Sequence, residues 1–212
     1  MLLKLICKMI KNLLTLTVFL ASFSCFGQAR FNAGLVGGLN ATQVDGDAAE
    51  GFNKAGINAG AFIRINLDGP ISVKLEMAYS GKGSRRPADT DNGDFNTWGY
   101  RFRYVDVPLV AEYRNHDLFF QAGAFGAVLL QAEQEFNSNL FAVENPEMRD
   151  FDLGGIVGIG YFINERLFVQ GRYQQSLIEI RPSPGRNGQT TFYDGGMSNV
   201  VVQLSVGYQF GE

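Results

Sequence analysis

The residues best suited to acid–base chemistry are three carboxylates and three cations in different segments of the chain. They are Arg64, Lys74, Glu76, Asp106, Glu112 and Arg172. Paired carboxylates can serve as general acid and base, but the same side chains can also form buried ion pairs with the cations. Which role they have depends on the elements that position them.

Other catalytic groups are scarce in this sequence. It has 1 His, His116, and 2 Cys, Cys7 and Cys25, so it lacks the ligands of a cysteine zinc site or a multi-histidine metal site. It contains no G-x-S-x-G segment of the kind that carries a hydrolase nucleophile. We therefore expect no cofactor and no enzymatic activity.

The composition indicates strands rather than helices. Among 212 residues there are 26 Gly, 18 Phe and 8 Tyr. Glycine is unfavourable inside helices, whereas aromatic and β-branched residues favour strands. The apolar and aromatic content excludes a disordered chain, and we expect no nucleic-acid partner.

Apolar residues alternate with polar or small residues along eight segments. The clearest is 71–80, with an apolar residue at every odd position from Ile71 to Tyr79. The predicted strands are 30–40, 55–67, 71–80, 101–113, 118–130, 151–162, 167–178 and 198–210. They are longer than the usual strand of about 5–6 residues and long enough to cross a membrane, which takes about 9–11.

The connections between these strands are alternately long and short. The long connections are 41–54, 81–100, 131–150 and 179–197, and the short ones are 68–70, 114–117 and 163–166. Outer-membrane barrels have an even number of strands, short periplasmic turns and long extracellular loops. The sequence therefore predicts an all-β fold, an eight-stranded antiparallel up-and-down transmembrane β-barrel with four long extracellular loops.

Residues 1–27 have the features of a cleaved signal peptide. Three lysines precede an apolar run over 13–26, which is short for a membrane span and suits a secretory signal. We expect cleavage after Gly27, which removes both cysteines and leaves 28–212 as the barrel domain. Met9 is an alternative start, and Cys25 is an alternative site of lipidation. The expected location is the cell outer membrane, reached by export through the inner membrane.

The six charged residues fall on the inward side of the alternation. The interior of an eight-stranded barrel is just wide enough for side chains to fill. Because buried charges are tolerated only when paired, we predict an internal ion-pair network that plugs the lumen. Catalysis by the carboxylates and conduction through the lumen are the alternatives. Glycines on the inward face, such as Gly158, would leave room for the larger side chains.

The outward face is predicted to contact outer-membrane lipid. Aromatic residues are expected near the periplasmic ends of the strands: Phe31, Tyr113, Phe120, Tyr161 and Phe210. Such residues form girdles at the membrane interface. The alternative is ordinary strand aromatics in a soluble sandwich.

Two long loops could carry a partner surface. Loop 131–150 has five acids and one base, and its candidate protein-partner residues are Glu133, Glu135, Phe136, Phe141, Glu144 and Glu147. The alternative is a charged loop that is merely solvated. Loop 81–100 combines three bases with three aromatic residues, so it could bind glycan, lipopolysaccharide phosphate or protein, or fold on itself.

Residues 104–109, YVDVPL, resemble the Y-[LV]-[ED]-[IV]-P-L signature of the PorT-like outer-membrane β-barrel proteins of Bacteroidota. The motif residues are Tyr104, Asp106 and Pro108. Segments 120–126, 152–161 and 167–173 also resemble strands of this family, and Phe210 resembles a terminal insertion signal. The resemblance implies an outer-membrane barrel inserted by the barrel-assembly machinery. The family's named member is linked to type IX secretion.

The favoured function is a non-enzymatic barrel that anchors or presents its long loops, with an association to secretion or the cell envelope as a further expectation. One alternative is an outer-membrane lipid-modifying enzyme, which would place its catalytic groups near the outer leaflet, whereas His116 falls in a predicted periplasmic turn. The other is a soluble secreted lipid-binding barrel, which would need an apolar interior and a polar exterior.

Overall fold

The computed structural model describes residues 30–47, 49, 51–90, 93–137, 139–142, 148–181 and 196–210. The predicted signal peptide, 1–27, lies outside these ranges. Across them, no helix is both long enough and apolar enough to cross a membrane.

The described residues form nine β-strands. They are β1 (Arg30–Asp45), β2 (Lys54–Asn66), β3 (Ile71–Arg86), β4 (Trp98–Asn115), β5 (Leu118–Phe136), β6 (Asn139–Ala142), β7 (Phe151–Phe162), β8 (Leu167–Ser176) and β9 (Ser198–Phe210). Eight of them close into a ring in the order β1-β2-β3-β4-β5-β7-β8-β9. The seam between β9 and β1 is antiparallel and runs from the pair Ala33–Phe210 to the pair Asp45–Ser198. The predicted eight-stranded antiparallel barrel is therefore confirmed.

The two ends of the barrel differ in their connections. Turns 67–70, 116–117 and 163–166 lie at one end, which we call the short-turn end. The strand ends that are joined by the longer segments 46–53, 87–97, 137–150 and 177–197 lie at the other end, which we call the long-loop end. The ninth strand, β6, pairs only with the tip of β5 at Glu133–Phe136 and lies outside the ring.

Several strands extend further toward the long-loop end than predicted. β1 reaches Asp45 instead of ending at 40, β3 reaches Arg86 instead of 80, and β5 reaches Phe136 instead of 130. The apolar alternation marks only the part of a strand that faces lipid. Beyond it, the backbone hydrogen bonds continue while the outward side chains become polar, so the sequence signal disappears before the strand does.

The outer wall of the barrel is apolar. In β3, Leu75 and Met77 are 47% and 64% exposed, whereas Lys74 and Glu76 are buried. The five predicted girdle aromatics are all exposed. The register places Tyr113 beside both Ile71 and Phe120, next to the short turns. An apolar surface of this extent is unfavourable in water and suits contact with lipid.

Two apolar clusters occupy the interior, one toward each end. The cluster at the short-turn end consists of Val36, Phe62, Phe119, Phe162 and Phe168. The larger cluster toward the long-loop end includes Phe102, Tyr104 and Phe125. Glycines on neighbouring strands make space for several of these rings, because a Cβ at Gly160 would collide with Phe119 and one at Gly207 with Phe168.

Candidate functional site

Lys74 lies at the centre of the lumen and joins two carboxylates. Its Nζ is 2.6 Å from Oε1 of Glu112 and 3.3 Å from Oε1 of Glu76. It also donates a hydrogen bond of 3.1 Å to Oε1 of Gln170. The ammonium is fully buried, and its contacts with three oxygens compensate for the loss of water.

Two arginines extend this chain of charges in opposite directions. The Arg172 guanidinium forms a bidentate pair with Glu76, at 2.6 Å and 2.5 Å. Arg64 Nε donates to Glu112 Oε2 at 2.7 Å. Because planar guanidinium–carboxylate pairs are strong and directional, the sequence Arg172–Glu76–Lys74–Glu112–Arg64 forms one continuous network.

Neutral polar groups complete this network. Gln121 Oε1 accepts hydrogen bonds from Arg172 at 3.0 Å and 2.9 Å. Ser72 Oγ donates to Glu112 at 3.2 Å, and Gln209 Oε1 accepts from Arg64 at 2.5 Å. These additional donors and acceptors form hydrogen bonds with polar atoms of the network that the ion pairs alone would leave without a partner.

The strand arrangement explains how distant residues meet. Lys74 and Glu76 are two residues apart on β3 and therefore share a face. The neighbouring strands supply Arg64, directly opposite Lys74, and Glu112, directly opposite Ser72. Arg172 belongs to β8, which is four strands away from β3 in either direction around the ring. The Arg172–Glu76 pair therefore crosses the lumen.

Asp106 is not part of this network, although the sequence placed it there. It lies 3.0 Å from Lys82 Nζ, an ionic contact without hydrogen-bond geometry. The ammonium of Lys82 also lies 4.8 Å and 4.6 Å from the ring centroids of Tyr104 and Phe125. Sequence reasoning missed Lys82 because it assigned residues 81–100 to a loop. Lys82 has the same even numbering parity as Lys74 and Glu76, and this parity could have predicted that it also faces inward.

Asp152 is a second interior charge that the candidate set omitted. Its Oδ2 accepts hydrogen bonds from Ser176 at 2.8 Å and Asn199 at 3.0 Å. With Lys82 and Asp152 included, the buried charges of the described residues balance. The cations are Arg64, Lys74, Lys82 and Arg172, and the acids are Glu76, Asp106, Glu112 and Asp152.

The three motif residues all point into the barrel. Tyr104 is 1% exposed and packs edge-on against Phe102, with ring centroids 6.3 Å apart. Asp106 and Pro108 are also buried. The motif therefore shapes the inner wall below the long-loop end rather than an exposed binding surface.

A cavity of about 370 Å³ opens at the short-turn end, beneath the Arg64–Glu112 pair. Arg114 and His116 form part of its rim. His116 lies in an exposed turn with φ of 59°, and its Nδ1 is 2.8 Å from Oδ1 of Asn115. Among the described residues, no hydrogen bond joins His116 to a serine hydroxyl.

The candidate partner residues in 131–150 have different surroundings. Glu135 lies 2.7 Å from Lys54 Nζ and 3.5 Å from Arg101, and Glu133 lies 3.6 Å from Arg103. The hydrogen bond from Lys54 lowers the pKa of Glu135. The aromatic candidates Phe136, in β5, and Phe141, in β6, are exposed, whereas Glu144 and Glu147 lie outside the described residues. Two of the four acidic candidates, Glu133 and Glu135, thus already form salt bridges with residues of the barrel wall.

The fold is similar to solved outer-membrane barrels. Ail of Yersinia pestis, crystallised with the heparin analogue sucrose octasulfate, matches with a TM-score of 0.50 and 12% identity, over 85% of this chain and 99% of that chain. Neisserial surface protein A matches with a TM-score of 0.50 and 9% identity, over 85% of this chain and 97% of that chain. These likenesses show the fold alone.

A family comparison extends the result beyond fold. The model of the outer membrane protein β-barrel domain matches residues 22–181, well over half of the chain. No curated protein matches the sequence. The chain therefore belongs to the outer membrane protein β-barrel domain family.

Proposed function

We propose that this protein is a non-enzymatic outer-membrane barrel with a closed lumen, which anchors its long loops and presents them outside the cell. The observation that carries this proposal is the Arg172–Glu76 pair, which crosses the lumen and joins the network around Lys74. All five residues of the network are at most 3% exposed. In a barrel of eight strands, side chains of this size fill the interior.

The apolar clusters support closure on both sides of the charges. Lys74 lies 5.6 Å from the ring centroid of Phe62 and 5.2 Å from that of Phe168, in the cluster at the short-turn end. Lys82 contacts the rings of Tyr104 and Phe125 on the other side. An ion crossing the barrel would have to break ion pairs and displace aromatic side chains.

The orientation and the export route are part of the proposal. Barrels of this type keep short turns in the periplasm and long loops outside, so the long-loop end faces the exterior. Export would use the signal peptide at 1–27, and insertion would use the barrel-assembly machinery. The YVDVPL motif supports kinship with PorT-like proteins of Bacteroidota, and with it a place in secretion or the cell envelope. A protein partner would contact Phe136 and Phe141.

The two rival functions have less support. An enzyme would need a base beside a nucleophile, and the described residues around His116 do not provide one. A soluble lipid-binding barrel would need a polar outer wall, whereas residues such as Leu39 and Leu204 are 64% and 68% exposed on the outside.

Labelling of intact cells tests the orientation. Phe141→Cys places a thiol in exposed β6, and Glu165→Cys places one in a short turn. We expect a membrane-impermeant maleimide to label the first variant in intact cells and the second only after lysis. Labelling of Glu165→Cys alone in intact cells would reverse the assignment of the two ends.

A liposome-swelling assay tests closure. We expect proteoliposomes of the wild type to exclude small sugars as well as empty liposomes do, while a porin control admits them. Swelling at the rate of the porin control would contradict the closed lumen.

A further inference from the structure

A groove of about 510 Å³ opens on the outer wall near the long-loop end, between β2, β3 and β4. Five cationic residues contribute to its lining: Lys54, Lys82, Arg85, Arg101 and Arg103. Two outward apolar side chains, Leu39 and Ile57, line the same groove. The groove therefore combines a cationic part with an apolar part.

The position of the groove along the barrel coincides with the edge of the lipid-facing band. On β3 the outward apolar residues run from Ile71 to Tyr79, and Gly81 follows in the groove. With a rise of about 3.3 Å per residue and a strand tilt of about 40°, Gly81 lies roughly 25 Å above Ile71. The apolar band of such barrels is about 25 Å tall. The cations therefore lie at the level of lipid headgroups.

A glycine forms part of the floor of the groove. Gly81 lines the groove and lies opposite Arg103 in the β3–β4 register. Gly81 has no side chain that could cover these arginines, whose guanidinium groups contact β5: Arg103 donates to Gln131 Oε1 at 2.6 Å and Arg101 lies 3.5 Å from Glu135. A Cβ at Gly81 would lie 3.4 Å from the backbone nitrogen of Ile57 and would begin to fill this space.

The charge of the groove is only partly compensated. Glu135 pairs with Lys54 and Arg101, and Glu133 pairs with Arg103. Lys82 is paired with Asp106 inside the barrel, so the other four cations face two carboxylates. Arg85 makes no salt bridge to any described residue, and the side chains of Arg101 and Arg103 are 38% and 39% exposed. Guanidinium donors therefore remain available to an anion.

We propose that this groove binds the phosphorylated headgroup of a membrane lipid. The guanidinium groups of Arg85, Arg101 and Arg103 would donate to the phosphate oxygens, and one acyl chain would lie against Leu39 and Ile57. Arginine suits this role because its planar donors match phosphate. This inference depends neither on a closed lumen nor on which end faces the exterior.

Native mass spectrometry of the protein in detergent micelles tests the site. The probes are dioleoyl phosphatidic acid, which has a phosphomonoester headgroup, and dioleoyl phosphatidylcholine, which has no net charge. We expect the wild type to retain phosphatidic acid at least fivefold over phosphatidylcholine. Arg101→Gln/Arg103→Gln should lower the retention of phosphatidic acid at least fivefold and leave phosphatidylcholine unchanged.

Arg114→Gln/Arg166→Gln is the matched control, because it removes two arginines at the short-turn end. It should retain phosphatidic acid as the wild type does. Equal retention of the two lipids by the wild type, or an equal loss in the control, would overturn the proposal. Displacement of the lipid by equimolar inorganic phosphate would show a phosphate site without a lipid component and would also overturn it.

Folding of each variant is checked by its heat-dependent shift on unboiled gels. If Arg101→Gln/Arg103→Gln does not fold, lipid retention is measured on Arg85→Gln instead. Arg85 makes no salt bridge to a described residue, so we expect this variant to fold. A full preference for phosphatidic acid in Arg85→Gln would then contradict the proposed headgroup site.

Discussion

At the scale of single residues, the stability of the charge network in the lumen depends on carboxylates that each pair with two cations. Glu112 is shared between Lys74 and Arg64, and Glu76 is shared between Lys74 and Arg172. Loss of either carboxylate leaves three cations with one carboxylate, and leaves one arginine without its ionic partner. A buried ion that loses its partner destabilises a protein far more than a broken surface pair does.

Glu112→Gln tests this sharing, because it keeps the shape of the side chain and removes its charge. We expect the free energy of unfolding to fall by about 3–5 kcal/mol, the usual range for a buried pair that loses one partner. Urea unfolding in detergent micelles measures the change. Asp117→Asn is the control, since the exposed carboxylate of Asp117 lies 4.0 Å from Arg114 and the substitution leaves its backbone carbonyl in place. Equal stability of the two variants would contradict the shared carboxylate.

Gly158 and Gly155 test the assignment of faces within one strand. A Cβ at Gly158 would lie 2.6 Å from the carbonyl oxygen of Gly171 and 3.0 Å from Arg172 Cγ, whereas one at Gly155 would meet nothing within 4 Å. We expect Gly158→Leu to lower the refolding yield severalfold and Gly155→Leu to refold like the wild type. Similar yields would mean that the inward face is misassigned.

Residue faces could be read from the sequence because alternation along a strand has a strict period of two. Lys74, Glu76 and Arg172 lie inside, as that parity requires. Which charges pair could not be read, because Arg172 meets Glu76 only after the ring has closed. The Asp106–Lys82 pair could not be predicted for the same reason. Which charges pair depends on their positions along the barrel axis, and the apolar alternation predicts only which side of the wall a residue faces.

At the scale of elements, β3, β4 and β5 form a ribbon that extends past the lipid-facing band. Their register continues through the pairs Arg86–Trp98 and Trp98–Phe136, with one irregularity between Arg103 and Tyr104. The ends of these strands were missed because the outward side chains there are polar, such as Arg101 and Glu133. Strand length in such a barrel is set by the ladder of hydrogen bonds, and apolar alternation reports only its buried or lipid-facing portion.

Hydrogen exchange tests the extent of this ribbon. We expect the backbone amides of 131–136 to exchange at least tenfold more slowly than those of the connection 93–97, because the former pair with β4 and β6. Peptide-resolved mass spectrometry in detergent micelles gives both rates. Equal exchange in the two segments would show that β5 ends near residue 130.

The tip of this ribbon should also respond to pH. Hydrogen bonding from Lys54 lowers the pKa of Glu135 below its ordinary value of 4.5, so the folded state favours the carboxylate. Its stabilising effect is therefore present above pH 4.5 and is lost as the pH falls through the lowered pKa. Glu135→Gln should weaken the protection of 131–136 at pH 7 but not once the wild-type carboxylate is protonated. A constant difference across this range would contradict the linkage.

At the scale of the whole molecule, the alternation of long and short connections was sufficient to predict the topology. Short turns such as 163–166 allow only antiparallel neighbours, and an even number of strands lets the last strand meet the first. The outer groove could not be predicted in this way. It requires the register that places Gly81 opposite Arg103, and the tilt that places both at the edge of the lipid band.

Single-channel recording in planar bilayers tests the closed lumen most directly. We expect the wild type to show no stable open steps. Removal of the bridge across the lumen in Glu76→Ala/Arg172→Ala should produce them. Glu165→Ala/Arg166→Ala, in an exposed turn, should behave as the wild type does. Large, stable open steps from the wild-type protein would contradict the closed lumen.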